Sequence, residues 1–380
     1  MAERILLIAD ADSFWTRRYI ENVLAPAGWA TVLFPIYGWS GSHADFFAKQ
    51  GVTVYQDRHT LPVIRHIPRV RMWVRIAANA ASLKALGPFH AVHCHYLSTR
   101  DLALGHRVAR RFSAPLVATF WGSDLLRATA GELRGMRPFL TRCKAISVFN
   151  PDHVNRLRTL YGDEVAAKTR VLDFGEVVFP CIDQVHATMD SAAVKSSFGI
   201  PADRLTVCIG SSASEAQQQL PALEALMQLD EATLSRLAIV LQHTYCHDDP
   251  ANEQQVQTLA ASLPCQTVVL TEFLNDMESA RLRCACDVYL HTIRTDAFSS
   301  SLKESLYAGA RVAYGGWLSY PTLSELQLDV RRFAAFDQLP GLIHAALDGS
   351  WQPLTEDERR RLGGICKWDS LASQWLEMYR

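Results

Sequence analysis

The sequence lacks any apolar run near the roughly 18 residues that a bilayer-spanning helix needs. Its first apolar stretch, ILLIA after Glu3 and Arg4, is too short for a signal-peptide core and reads as a buried first strand. The nine cysteines are odd in number and scattered, with no paired metal-ligand spacing. That pattern excludes a zinc-ribbon arrangement and fits reduced thiols in a cytosolic protein. There is no G-x-S-x-G, no Walker loop and no G-x-G-x-x-G, so α/β-hydrolase, NTPase and dinucleotide chemistry have no motif behind them. Internal repeats and low-complexity tracts are absent too.

What is present is an ordinary globular composition, 49% hydrophobic and 20% charged over 380 residues. Cores stop growing well before that length, so two domains are expected. Net charge is only −1, but residues 1–180 hold 23 Lys+Arg against 14 Asp+Glu, a balance of +9, and the rest of the chain balances at −10. The asymmetry implies two domains with different partners. The basic half would suit an anionic partner, either a phosphate-bearing molecule or a membrane surface; solvated helix faces explain it equally well. No nucleic-acid partner is expected.

Short aliphatic runs alternate with helical patterns almost throughout. RILLIA, TVLFPIYG, AVHCHY, PLVATFWG and KAISVF read as buried strands in the first half, and LTVCIG, LAIVLQ, QTVVL, DVYLH and RVAYGG in the second. Helical segments fall at 14–26, 100–112, 151–161, 215–228, 252–263 and 276–285. Such alternation predicts parallel sheets covered on both faces, and the strand count predicts two of them. The weakest patterning, at about 180–204, is where the linker is expected, which gives domains at 1–183 and 190–367. The final segment has Trp368, Leu371, Trp375 and Met378 on one helical stripe and is expected to pack back on the first domain.

The stretch TDAFSSSLKESLYAGA (295–310) carries the most chemistry. DVYLH before it is a strand, and LKESLYA is a helix that Gly309 stops. A helix N-terminus at the carboxyl edge of a parallel sheet offers free N–H groups and the positive end of a dipole, which suits a phosphate. Ser299, Ser300 and Ser301 are small enough for a diphosphate to approach the backbone, and their hydroxyls can donate. Glu304, one turn inside, could accept from vicinal ribose hydroxyls, and Asp296 could meet a sugar beyond the diphosphate. Ser301-Leu-Lys-Glu304 is also a capping box, which would need only helix-start chemistry.

The run D-A-F-S-S-S-L-K-E-S-L-Y-A-G-A-R-V resembles the E-x7-E signature of retaining GT-B glycosyltransferases of the family-4 type, and GGWLSYP (315–321) resembles the bacterial N-acetylfucosaminyl transferase type. Asp296 takes the first acidic position, Phe298 the aromatic one and Glu304 the second acidic one; serines replace the usual glycine. The resemblance implies an α/β GT-B fold, two Rossmann-like domains facing across a cleft. It implies that Glu304 binds the nucleotide ribose and that Asp296 contacts the transferred sugar.

Further expectations follow from the same resemblance. The Gly210-Ser211-Ser212 turn would face the donor diphosphate. Many members have an arginine and a lysine there; this chain has Ser214 and Gln217–Gln219 instead, so Arg294 is the candidate replacement cation. Thr271 and Phe273, in the loop LTEFLNDMES, would read the base, although Phe273 could equally be core. TFWGSDLL resembles the loop that faces the donor sugar and acceptor; Trp121 would lie on the acceptor side, where many members have histidine, and Asp124 would be catalytic or else a helix N-cap. At the end of the strand in VHCHYLS, His95 and Tyr96 could line the cleft, His95 as a catalytic residue, while strand alternation points His93 into the core. Asp12, after the first strand, would lie near the acceptor. Its D-A-D setting is a weak metal motif, and no metal or other cofactor is expected. His243, Cys246 and His247 read as loop residues.

RHIPRVRMWVR (65–75) mixes Arg65, Arg69, Arg71 and Arg75 with apolar side chains, a pattern suited to an anionic bilayer or to a packed helix with solvated arginines. The sequence thus reads as a metal-independent glycosyltransferase. It would move a sugar from a nucleotide-diphosphate donor to a glycan or lipid-linked acceptor, in bacterial envelope polysaccharide synthesis at the inner face of the cytoplasmic membrane. A sugar-nucleotide epimerase of related fold and a non-catalytic partner protein of the same fold are the rivals.

Overall fold

The structure is a computed structural model describing residues 3–57 and 68–380. It divides into two compact units: the chain up to Phe174 together with Trp368–Arg380, and Gly175–Lys367.

The first unit is built on a seven-stranded sheet in the order β3-β2-β1-β4-β5-β6-β7. Its strands are β1 (Arg4–Ala9), β2 (Ala30–Pro35), β3 (Thr53–Val54), β4 (Ala91–His95), β5 (Leu116–Thr119), β6 (Ala145–Val148) and β7 (Thr169–Val171), all paired in parallel. Ile5, Leu6, Leu7 and Ile8 in the central β1 are fully buried, which explains the unbroken apolar run: both faces of the sheet are covered by helices. Each such side chain contributes about 1.5–3 kcal/mol. The helix Trp368–Glu377 belongs to this unit; Trp375 is fully buried and its indole N–H donates to the Asp173 carbonyl at 3.1 Å.

The second unit holds a six-stranded parallel sheet in the order β10-β9-β8-β11-β12-β13. The strands are β8 (Leu205–Ile209), β9 (Leu237–Gln242), β10 (Gln266–Leu270), β11 (Val288–His291), β12 (Arg311–Gly315) and β13 (Arg331–Phe333). Its two faces bury separate apolar clusters, one around Tyr289, Leu302 and Val312, the other around Val207, Ile239 and Leu290. Among the described residues no helix is long and apolar enough to cross a membrane.

Two expectations need correction. The segment read as a linker is helical, Phe179–Thr188 and Ser191–Ser196, and Phe179, Ile182, Val185 and Val194 sit in the core of the second unit. The boundary therefore falls at Phe174/Gly175, and the chain returns to the first unit at Trp368. Three strands carry no sequence signal: β3, β7 and β13 are two or three residues long and lie at sheet edges, where no apolar run is required.

Candidate functional site

The second unit gathers its polar groups at the carboxyl edge of the sheet. β11 ends at His291, a loop follows, and the helix Ser300–Ala308 begins with Ser299 as its N-cap residue. Asp296 shapes that loop. Its Oδ2 accepts from the Tyr320 hydroxyl at 2.7 Å and the Ser299 amide at 2.8 Å, and lies 3.3 Å from His291 Nε2. Burial pushes the Asp296 carboxyl up, but these partners outweigh it and hold the group well below the ordinary carboxylate range. Phe298 adopts φ 135°, a backbone seldom used by a side-chain-bearing residue; its buried ring, packed at 5.6 Å on Tyr320, fixes it there.

The first intrahelical hydrogen bond runs from Lys303 N to Ser299 O, so the amides of Ser300, Ser301 and Leu302 precede it at the helix mouth. Ser301 is already inside the helix and its hydroxyl accepts from Tyr289 at 3.0 Å. The capping-box reading of Ser301 and Glu304 therefore does not hold. Glu304 instead turns inward, with Oε2 accepting from Arg283 Nε at 3.0 Å, both side chains under a tenth exposed. Burial pushes the Glu304 carboxyl up, Arg283 pulls it back, and the net direction is upward. Lys303 lies 2.7 Å from Glu176 Oε1, which also accepts from the Ser300 hydroxyl at 2.8 Å. Arg283 and Glu176 were missed in the sequence. Arg283 had a signal, since it shares the buried face of its helix with Ala280, and a charge there needs a partner.

The turn after β8 is closed by its own side chains. Gly210 has φ 67°, and a Cβ there would lie 3.0 Å from Gln217 Oε1, so the position requires glycine. Gln217 receives the Ser211 amide at 3.2 Å and donates to the Ser212 hydroxyl at 3.2 Å. Gln219 donates to Ile209 O at 2.9 Å, and the Ser214 hydroxyl donates to Asp248 at 2.7 Å. The side chains expected to stand in for a cationic clamp are thus engaged inside the loop. Arg294 does come to this turn, its amide donating to Ala216 O at 2.8 Å, but its guanidinium is paired with Glu215. After β10, Thr271 and Phe273 are exposed, Phe273 at 69%, which removes the core alternative for that ring.

In the first unit, Asp124 lies inside the short helix Ser123–Leu126 and ties two strand ends together. It accepts from the amides of Leu97 at 2.6 Å, Trp121 at 2.9 Å and Gly122 at 3.0 Å. Burial pushes its carboxyl up to about 7 against the pull of those three donors. A cavity of about 300 Å3 opens beside it, lined by Tyr96, Ser98, Ser123 and Arg127 among others. Trp121 is half-buried against Tyr96 and Phe174. Asp12 accepts from the Ser40 amide at 2.9 Å and hydroxyl at 2.7 Å, fixing the segment after β2.

His95 is not where it was expected. It is fully buried, 4.1 Å from His93 between ring centroids and enclosed by Tyr19, Phe174 and Trp375. Residues two apart on a strand share a face, so His93 and His95 go into the core together. His93 Nε2 contacts the Thr119 hydroxyl at 2.7 Å and Nδ1 the Tyr379 hydroxyl at 2.8 Å.

On the helix Pro68–Leu83, Val70, Trp73 and Val74 are exposed at 46%, 49% and 40%. Arg65 lies outside the described residues. His243 is buried and bonded to Gln219 at 2.8 Å, while His247 meets Glu253 at 2.9 Å; among the described residues no group of three or more His, Cys, Asp or Glu side chains could hold a metal ion.

No protein-family model and no curated protein matches the sequence. Solved structures do match. HepE of Anabaena, in complex with UDP and glucose, aligns over 99% of this chain and 98% of its own at 14% identity and a TM-score of 0.70. A sucrose-phosphate synthase of Thermosynechococcus elongatus aligns over 100% and 98% at 14% identity and 0.72, and a glycosyltransferase of Rickettsia africae over 100% and 98% at 13% and 0.76. With its seven- and six-stranded parallel sheets, the chain has the GT-B fold.

Proposed function

We propose that this GT-B chain is a glycosyltransferase that takes its sugar from a UDP-sugar. The observation that carries the reading is the helix mouth at Ser299–Leu302 with the Glu304 carboxylate held one turn inside by Arg283. The three leading amides would receive the diphosphate and meet the charge that builds on it as the glycosidic bond to phosphate breaks. Glu304 has Oε2 engaged by Arg283, and its Oε1 would accept from the ribose diol. Phe273, exposed beside Thr271, offers a face for the uracil ring. Asp296 acts mainly as the anchor of the loop. UDP enters this reading because HepE is seen with UDP and because a UDP-forming trehalose-phosphate synthase of Burkholderia xenovorans shares the fold.

Transfer would proceed with retention and without a metal. The bond from the anomeric carbon to phosphate breaks, a bond to the acceptor oxygen forms on the same face, and the acceptor proton passes to the leaving phosphate. The basic first unit would hold the acceptor, a glycan or lipid-linked hydroxyl, in envelope polysaccharide synthesis. The exposed Val70, Trp73 and Val74 stripe, flanked by arginines, would rest on the anionic cytoplasmic face of a membrane.

The test is calorimetric titration with UDP, GDP, TDP and CMP on the wild type and on Glu304→Ala. Binding of UDP that the substitution abolishes supports the reading; binding that ignores the substitution removes the ribose role. A second reading, a non-catalytic protein of this fold, is favoured by the pairing of Arg294 with Glu215, which occupies the candidate clamp. Failure to bind any of the four nucleotides would turn the choice to it.

A further inference from the structure

A cavity of about 800 Å3 lies at the carboxyl edge of the first unit's sheet, within the range of pockets that enclose small ligands. It is walled by the end of β2, the segment after β3, one side of the helix Pro68–Leu83 and the first turn of the helix Thr99–Phe112. Its polar wall is prebuilt. The Tyr55 hydroxyl donates to Asn79 Oδ1 at 2.9 Å, Asn79 Nδ2 donates to Asp57 Oδ2 at 3.2 Å, and Arg75 pairs with the same carboxylate. Elsewhere in the lining, Arg100 Nε lies 2.9 Å from Asp101 Oδ1, and its guanidinium also donates to Ile36 O. Asn79 and Asp101 are 4% and 2% exposed, so these groups are set before any ligand arrives.

Two features of the lining bear on a ligand. One is charge. The lining carries Arg71, Arg75 and Arg100 against Asp57 and Asp101, and the two ion pairs leave Arg71 with no carboxylate partner among the described residues. The other is an aromatic surface held at a fixed angle. The Trp39 indole N–H donates to Ser42 O at 2.8 Å, and the next residue, Ser40, is pinned by three hydrogen bonds to Asp12. A guanidinium takes a phosphate with two parallel N–H bonds, and a fixed ring beside it suits an apolar or sugar body.

We propose that this cavity binds the acceptor through a phosphate group held by Arg71, with the adjoining sugar or isoprenoid body against Trp39. Asp12 is then a positioning residue, acting through Ser40 on Trp39. The proposal rests on the glycosyl-transfer reading for the word acceptor, but its binding test does not use the donor site.

The experiment titrates the intact chain with glucose 6-phosphate and with farnesyl phosphate, using glucose and farnesol as neutral counterparts. The same titrations are run on Arg71→Lys, Arg71→Glu and Trp39→Ala, and UDP is titrated into each variant. At least one phosphate should bind about tenfold or more tightly than its neutral counterpart, the size of one charge-assisted hydrogen bond. Arg71→Lys should weaken it, Arg71→Glu should abolish it, Trp39→Ala should weaken it, and UDP binding should stay as in the wild type. Which phosphate binds tells whether the group comes on a soluble sugar or on a lipid. Phosphates that bind no better than their neutral counterparts, or binding that survives Arg71→Glu, overturn the proposal. If wild type fails to bind UDP while the phosphate arm succeeds, it is the donor reading that fails.

Discussion

Arg283 and Glu304 form a buried ion pair, Nε to Oε2 at 3.0 Å, joining the helix Asp276–Ala285 to the helix that follows β11. The pair does two things at once. It neutralises a cation and an anion that the core could not hold singly, and it points one carboxylate edge in a fixed direction.

Removing one partner should therefore be costly. Arg283→Met leaves the Glu304 carboxylate buried and unpaired, and urea unfolding should show a loss of about 3–5 kcal/mol. Adding Glu304→Leu to that variant should recover most of the loss while leaving UDP binding absent. Recovery of binding together with stability would mean that Glu304 serves packing alone.

Asp296 makes stability depend on acid. Its carboxyl sits well below the ordinary range in the folded chain, so as pH falls the unfolded chain takes up the proton first. The contribution is present above about pH 4 and is lost progressively below it. Asp296→Asn should flatten that limb of the acid-unfolding curve, and Tyr320→Phe should reduce it in part.

His95 acts with the same overall direction for the opposite chemical reason. Burial lowers its ring to about 3 from 6.5, so the folded chain keeps it neutral while the unfolded chain protonates below pH 6.5. Stability should fall from pH 6.5 toward 3, and His95→Gln should shift that decline to lower pH. Its fully buried position also predicts that UDP affinity is unchanged in this variant at pH 8, measured by calorimetry.

Phe273 is exposed, so its truncation should separate binding from folding. Phe273→Ala should leave the melting temperature within the scatter of surface substitutions. It should weaken UDP by about 1–3 kcal/mol, the range for a base stacked on an aromatic ring. An unchanged affinity would place the base elsewhere.

Ten of the strands could be read from the sequence because a strand buried on both faces needs an unbroken aliphatic run, and β1 and β9 show it plainly. Phe179–Thr188 could not, since its buried Phe179, Ile182 and Val185 are separated by Pro180 and Cys181 and then by Asp183 and Gln184, and only packing reveals the stripe. At the candidate site, the spacing of Asp296 and Glu304 marks the loop between β11 and the helix after it, but local spacing cannot tell a capping box from an inward-facing carboxylate. That distinction depends on Arg283, 21 residues earlier. Glu176 gave no signal, because its partner Lys303 is 127 positions away and nothing in either neighbourhood demands the other.

The first unit takes its last helix from residues 368–377, after the whole second unit has been spelled out. On the ribosome the early strands emerge first, and domains tend to fold in the order of synthesis. Here the slot for Trp375 and the Tyr379 hydroxyl, which meets Tyr19 and His93, must wait open through nearly two hundred codons. Tyr19, His93 and Phe174 would stay uncovered for that interval, so nascent chains halted before residue 368 should be the ones that chaperones hold longest.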